Sequence, residues 1–279
     1  DPDCDRVGIA VPNREGEYVL LSGNETGLLL LNYICSMRQA AGTMPEHPVF
    51  VKTIVTMDMA ARIAADYGVK TVDVLTGFKF IGDQIARLEA EGRENDYILG
   101  FEESYGYLSG SYVRDKDAVD GAFLICEMAA YYRSKGMGLL EVLEGLYEKY
   151  GFCLNTLHSY EFEGMEGFEK MKGIMNRLHT MASRIAEGEA VCIGGRKTEA
   201  VEDYLSGTIS RADKTTEPIA GLPSSDVLKF RLAGNASVVV RPSGTEPKLK
   251  LYISVSAEDK AKAQAEEEKI TAQMEEWFL

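Results

Sequence analysis

Residues 49 to 75 read VFVKTIVTMDMAARIAADYGVKTVDVL. Val49 to Val55 is β-branched and apolar, the composition of a buried strand. Met57 to Tyr67 follows as a helix that stops at Gly68, and Lys70 to Leu75 is a second strand. Downstream, Phe80 to Ala90 reads as a helix stopped by Gly92, and Tyr97 to Phe101 as a third strand. Upstream, Gly27 to Met37 has the length and composition of a buried helix. Before it come two strands, Arg6 to Val11 and Glu17 to Leu21, with Asn13 to Gly16 as the turn between them. Strands alternating with helices predict an α/β domain with a parallel sheet. In that architecture the loops beyond the C-terminal strand ends build the ligand site. Two such loops are Thr76-Gly77-Phe78-Lys79 and Glu102-Glu103-Ser104-Tyr105-Gly106.

Asp120 to Ser134 and Leu139 to Tyr150 read as two more helices, and Gly151 marks a domain boundary. Beyond it the order changes. A strand, Thr156 to Phe162, precedes a helix, Gly167 to Glu187. Four short strands follow: Ala200 to Tyr204, Val227 to Leu232, Ala236 to Arg241 and Lys248 to Val255. A last helix, Glu258 to Phe278, carries Ala263, Ile270, Met274 and Trp277 along one face. Strands bracketed by two helices predict a smaller α+β domain, with Gly234-Asn235 as a hairpin signal.

The chain has 279 residues, 45% of them hydrophobic, and a net charge of -14. That charge speaks against nucleic acid as a partner, because nucleic-acid binding needs a basic face. It repels phosphorylated metabolites as well, so any phosphate site must be a local cluster of Arg, Lys and backbone N–H groups. No apolar run reaches the roughly 20 residues of a membrane span. The five cysteines are widely spaced with no CxxC pair, the pattern of reduced thiols in a cytoplasmic protein. The chain opens on Asp1-Pro2-Asp3-Cys4-Asp5-Arg6, without Met, which reads as a truncation. His47, His158 and His179 form no cluster and receive no catalytic role.

Four segments carry the chemistry. Asp1, Asp3 and Asp5 alternate in a loop and can converge on one hard cation, Mg²⁺ or Ca²⁺; the plain alternative is a solvated acidic end. An EF-hand is excluded because Arg6 stands where that loop needs Gly. Arg241-Pro242-Ser243-Gly244-Thr245-Glu246-Pro247-Lys248, with Lys250 behind it, follows an apolar strand and can wrap a phosphate with side-chain and backbone donors. The alternative there is a basic Pro/Gly turn. Glu102-Glu103-Ser104 suits recognition of sugar hydroxyls, or else caps a helix. Arg114-Asp115-Lys116-Asp117 is by itself a solvated charge run, although a partly buried Lys116 with a lowered pKa could move protons.

These segments, in this order, resemble the α-D-phosphohexomutase family, most closely its phosphoglucomutase and phosphopentomutase branch. The matching stretches are DPDCDR (1–6), TGFKFIG (76–82), GFEESYG (100–106), RDKD (114–117) and RPSGTEPKLK (241–250). The family has four domains around a central cleft. The resemblance implies that residues 1–22 are a remnant of domain 2, residues 23–151 an α/β sugar-binding domain 3, and residues 152–279 an α+β phosphate-binding domain 4. It implies Mg²⁺ on Asp1, Asp3 and Asp5, with Arg6 adjacent. Thr76, Lys79, Glu102, Ser104 and Arg114 fall to the sugar phosphate, and Lys116 lies near the reacting groups. Arg241, Ser243, Gly244, Thr245 and Lys250 fall to the non-reacting phosphate. The implied reaction interconverts sugar 1-phosphate and sugar 6-phosphate, or pentose 1- and 5-phosphate. It runs through a phosphoserine and a sugar bisphosphate such as glucose 1,6-bisphosphate. The family's Ser-His-Asn-Pro-like catalytic loop is absent from these 279 residues, so this chain alone is expected to be inactive and to need the N-terminal domains of the same enzyme as partner. The competing readings are a non-catalytic phosphosugar-binding module and a metal-dependent sugar phosphatase.

Overall fold

The computed structural model describes residues 1–243 and 246–278. The chain divides into two units, Asp1–Tyr150 and Gly151–Leu279.

The first unit opens with a hairpin of β1 (Ile9–Pro12) and β2 (Tyr18–Leu21), paired antiparallel. The first strand starts later than the apolar pattern suggests. The backbone before it is engaged elsewhere: the Arg6 carbonyl accepts from the Asp1 N-terminus and the Val7 N–H donates to the Tyr105 carbonyl. Helix α1 (Gly23–Ala41) extends the expected one at both ends. Ser22 and Glu25 close a capping box at its start, and Gly42 ends it in the left-handed conformation. Leu28, Leu29, Leu30 and Leu31 are all fully buried, so this helix is a core element rather than a surface one.

The α/β layer continues through β3 (Val49–Thr53), α2 (Met59–Asp66), β4 (Lys70–Val74), α3 (Phe78–Ala90) and β5 (Tyr97–Phe101). Then come β6 (Tyr107–Leu108), α4 (Ala118–Ser134) and α5 (Leu139–Tyr150). The sheet order is β4-β3-β5-β6. Strand β3 lies parallel to both neighbours, and all five of its residues are buried. The sheet is not purely parallel: β6 runs antiparallel to β5. The 102–106 loop turns the chain straight back, with the Glu102 N–H donating to the Gly106 carbonyl. That also removes the helix-cap reading of Glu102-Glu103-Ser104, since the next helix begins at Ala118.

The second unit is one antiparallel sheet with two helices. Its elements are β7 (Phe152–Glu161), α6 (Gly164–Ala186), β8 (Cys192–Ile193), β9 (Arg196–Asp203), β10 (Thr208–Arg211) and β11 (Thr216–Pro218). They are followed by β12 (Leu228–Leu232), β13 (Ala236–Pro242), β14 (Lys248–Ala257) and α7 (Lys260–Phe278). The order is β11-β10-β9-β12-β13-β14-β7, with β8 on β9. The core joins Met171, Ile174 and Leu178 of α6 and Ile270 and Met274 of α7 to alternate strand residues such as Leu228, Phe230, Val238 and Val240. Strands β8, β10 and β11 were not legible in sequence, being short and partly polar. Their pairing rests on the turns that join them.

Two contacts yield predictions. A Cβ at Gly27 would sit 2.4 Å from the Phe101 ring, which itself packs on Phe50 at 5.4 Å between centroids. Gly27→Ala is therefore expected to destabilise the first unit by roughly 1–3 kcal/mol, the usual cost of overpacking, read by urea denaturation. In the second unit His179 of α6 sits between two carboxylates, 2.8 Å from Asp226 and 3.3 Å from Asp203. The Asp226 hydrogen bond, against burial and with help from Asp203, raises its pKa above the ordinary value of 6.5. This stabilisation is full below the unfolded pKa and lost as pH rises through the raised folded one. The melting temperature of the second unit should fall across that window, and His179→Gln should flatten the fall in a pH series of thermal melts.

Candidate functional site

The site of the first unit gathers at the C-terminal ends of β4 and β5. Glu102 follows β5 immediately and is only 6% exposed. Its Oε1 accepts from the Gly77 N–H at 3.0 Å. Gly77 has φ of 117°, a conformation open mainly to glycine, and it aims that N–H as the chain enters α3. Burial, reinforced by the Glu103 charge, pushes the Glu102 carboxyl above the ordinary carboxylate range. Lys116, the Gly77 N–H and Arg6 pull the other way. Glu102 thus lies in the combined field of the 76–79 loop, the N-terminal loop and the 114–117 run, three of the segments singled out in sequence.

Lys116 is the second fixed point. Its Nζ lies 2.9 Å from Asp5 Oδ2 and 3.1 Å from Asp115 Oδ1, with the side chain 11% exposed. It also stands 5.8 Å from the centre of the Phe78 ring. The lowered pKa expected of a proton-moving lysine is not found. Burial does pull it down, but hydrogen bonds to Asp5 and Asp115 outweigh burial and the net direction is upward. Lys116 is therefore a held ammonium, not a base. Asp117 beside it caps α4, accepting from the N–H groups of Val119 and Asp120.

The N-terminal aspartates do not converge. Among the described residues no group of three His, Cys, Asp or Glu side chains could hold a metal ion. Asp1 Oδ1 accepts from the backbone N–H groups of Asp5 and Arg6, its other oxygen lies 3.8 Å from the Arg6 guanidinium, and Asp3 is exposed. Asp5 is taken by Lys116, and hydrogen bonding to that ammonium outweighs burial and lowers its pKa. The oxygen donors suit a hard cation in kind, but as arranged they do not fit one, and no step proposed for these residues runs through a metal.

The remaining expected residues divide. Thr76 adjoins Gly77 and is half-buried, as is Ser104 in the turn. Lys79 is exposed, its ammonium 4.8 Å from the centre of the Phe80 ring. Arg114 is spent elsewhere, in an ion pair with Glu89 and in hydrogen bonds to the Ser111 and Val113 carbonyls. In the second unit, Arg241 of β13 stands directly opposite Lys250 of β14. Ser243 donates its N–H to the Lys248 carbonyl at 2.7 Å, and Lys248 pairs with Glu161 and Glu246, each at 3.0 Å. Gly244 and Thr245 lie outside the described residues.

Lys52 went unnoticed in sequence. It lies 1% exposed in β3, 2.9 Å from Asp73 and 3.2 Å from Asp58, and donates to the Thr53 and Thr56 carbonyls. Burial would strip its proton, but the two carboxylates outweigh burial and raise its pKa. A lone lysine inside an apolar strand is the signal that could have found it.

The chain is an α/β unit with a carboxylate buried at a strand end, followed by an antiparallel unit whose β13–β14 connection is flanked by Arg241, Lys248 and Lys250. Residues 22–150 match the family model "Phosphoglucomutase/phosphomannomutase, alpha/beta/alpha domain III", and residues 194–271 match the C-terminal domain of the same family. The chain belongs to the α-D-phosphohexomutase family. It is 38% identical over 259 residues to a phosphoglucomutase of Staphylococcus aureus, covering 93% of this chain and 44% of that protein. The fold is similar to that of parafusin, a phosphoglucomutase of Paramecium, with TM-score 0.65 and 18% identity over 99% of this chain and 44% of the other. It is also similar to Aspergillus fumigatus N-acetylphosphoglucosamine mutase, solved with GlcNAc-6P and magnesium, with TM-score 0.54 and 14% identity over 98% and 46%. The chain thus spans less than half the length of these relatives. Among the described residues no helix is long and apolar enough to cross a membrane.

Glu102→Gln tests the electrostatics of the site without changing its shape. A carboxyl with a raised folded pKa loses stability as pH rises from its unfolded value through the folded one. At pH 7 the variant should melt at or above the parent, and the gap should close toward pH 4.

Proposed function

We propose that this chain grips a phosphosugar for a phosphosugar mutase that interconverts sugar 1-phosphate and 6-phosphate, or pentose 1- and 5-phosphate. The phosphoryl group would be carried by a phosphoserine outside these 279 residues, through a sugar bisphosphate intermediate. The observation that carries this reading is the register pair Arg241 and Lys250. Two cations facing the same side of adjacent strands repel, and an anion between them turns repulsion into attraction. In a protein of net charge -14, two cations set opposite each other support a phosphate there.

Each residue then has a physical role. Arg241, Lys250 and Ser243, with Gly244 and Thr245, hold the phosphate that does not react. Glu102 accepts hydrogen bonds from sugar hydroxyls, since a carboxylate acceptor takes whichever adjacent pair is offered, and Ser104 adds a donor. That indifference suits a reaction in which the sugar must bind in two orientations. Thr76 and Lys79 flank the same loop. Lys116, held protonated, faces the reacting end as a donor and positive charge. Positioning and charge neutralisation carry most of the catalysis in phosphoryl transfer. Mg²⁺ is named for the Aspergillus relative; Asp1, Asp3 and Asp5 offer oxygens of the kind a hard cation takes but do not gather on one, so the reading routes no step through a metal.

Titration with glucose 1,6-bisphosphate tests the grip. Binding is expected, weakened about tenfold or more by Arg241→Ala or Lys250→Gln, since charge-assisted contacts contribute about 1.5–3 kcal/mol each. Conversion of glucose 1-phosphate to glucose 6-phosphate by these 279 residues alone, in a coupled assay, should be absent. Robust turnover, or affinity indifferent to Arg241, would overturn the reading.

A further inference from the structure

Tyr105 is a tyrosine where the backbone favours a glycine. Its φ is 69°, in the left-handed region, where a bulky side chain carries strain. We propose that Tyr105 is a positioning residue: lodged between the N-terminal loop and the first turn of α1, it sets the 102–106 turn so that Glu102 and Ser104 are presented to the sugar.

The turn joins β5 to β6, which pair antiparallel with Gly100 opposite Leu108 and Phe101 opposite Tyr107. Short connections of this kind ordinarily put glycine at their left-handed position. Here the glycine comes one residue later. Gly106 has no positive φ, and its need for glycine is steric: a Cβ there would lie 2.5 Å from Lys116 Cδ. Tyrosine takes the left-handed place instead, so contacts of the tyrosine must offset the strain.

Those contacts come from three directions. The Val7 N–H donates to the Tyr105 carbonyl at 3.1 Å. The ring lies over the next residue, since a Cβ at Gly8 would stand 3.6 Å from it, in ordinary van der Waals contact. From the other side α1 closes in. A Cβ at Gly23 would collide with the Glu103 carbonyl oxygen and lie 2.7 Å from the Tyr105 nitrogen, so the helix backbone leaves the turn no room to shift that way. The Tyr107 hydroxyl donates to the Gly23 carbonyl at 3.1 Å and ties β6 to the same helix start. The Glu102 N–H closes the turn on the Gly106 carbonyl. With the turn so held, Glu102 keeps its Oε1 on the Gly77 N–H and Ser104 stays half-buried in the turn. A turn ordered in advance loses little freedom when it grips a ligand.

The proposal rests on the sugar-binding reading of Glu102 and Ser104, and its test separates the two. Tyr105→Gly removes the ring and suits the left-handed backbone. Its affinity for glucose 1,6-bisphosphate, by calorimetry on the 279-residue chain, should fall about tenfold, the scale of one lost hydrogen bond to a charged group. Affinity for inorganic phosphate should stay near the parent's, which a general loss of structure would not allow. Tyr105→Phe keeps the ring and should bind as the parent does. Tyr105→Asn, also tolerant of the left-handed region, takes the same measurement if Tyr105→Gly does not fold. Hydrogen exchange of the Gly77 amide gives a readout without ligand. Glu102 shields that amide, and Tyr105→Gly should speed its exchange about tenfold while the β3 amides keep their protection. In a parent that binds, sugar bisphosphate affinity or Gly77 exchange indifferent to Tyr105→Gly would overturn the positioning role. Absence of binding in the parent would overturn the sugar reading, and Gly77 exchange unmoved by the substitutions would then overturn the positioning role as well.

Discussion

The first unit hangs on an ammonium inside a sheet. Lys52 occupies the central strand β3, where all residues are buried, and it reaches Asp73 at the end of β4 and Asp58 just before α2. Removing either carboxylate would leave a buried charge short of compensation, which generally costs several kcal/mol. Kept whole, the trio ties the C-terminal ends of two parallel strands and the loop between β3 and α2 into one polar knot. The site loops leave the sheet from these strand ends. Thr53 extends the knot toward them, its hydroxyl 2.9 Å from that of Thr56 and 3.5 Å from a Glu103 carboxylate oxygen.

The same rule of paired charge governs the site. Several cations of this acidic chain are held by carboxylates: Lys116 by Asp5 and Asp115, Arg114 by Glu89, Lys248 by Glu161 and Glu246. Arg241 and Lys250 stand opposite each other on adjacent strands. Glu102 is the reverse case, a carboxylate buried at the strand end with a backbone N–H for support.

Membership of the α-D-phosphohexomutase family agrees with this physical picture without replacing it. The structural relatives are under 20% identical, so they speak for fold alone. The chemistry proposed for the chain rests on Glu102, Lys116, Arg241 and Lys250.

The periodicity of residues 49–101 was enough for the α/β layer, because a parallel strand buried on both faces reads as a near-continuous apolar run and the helices here end just before Gly68 and Gly92. The strand Tyr97–Phe101 and the helix Leu139–Tyr150 are read off the chain at their observed bounds. Sequence order also picked out the 76–79 and 114–117 segments, whose Gly77 N–H and Lys116 charge act on Glu102. It could not show β6, β8, β10 or β11, which exist through pairing with distant partners rather than through their own composition. Nor could it assign the charges. Whether Asp5 faces a metal or Lys116, whether Arg114 serves a ligand or Glu89, and whether Lys116 gives up its proton depend on which groups the fold brings within about 3 Å and how much water it leaves there. Coulomb interaction and desolvation vary with distance in space, and separation along the chain does not encode that distance.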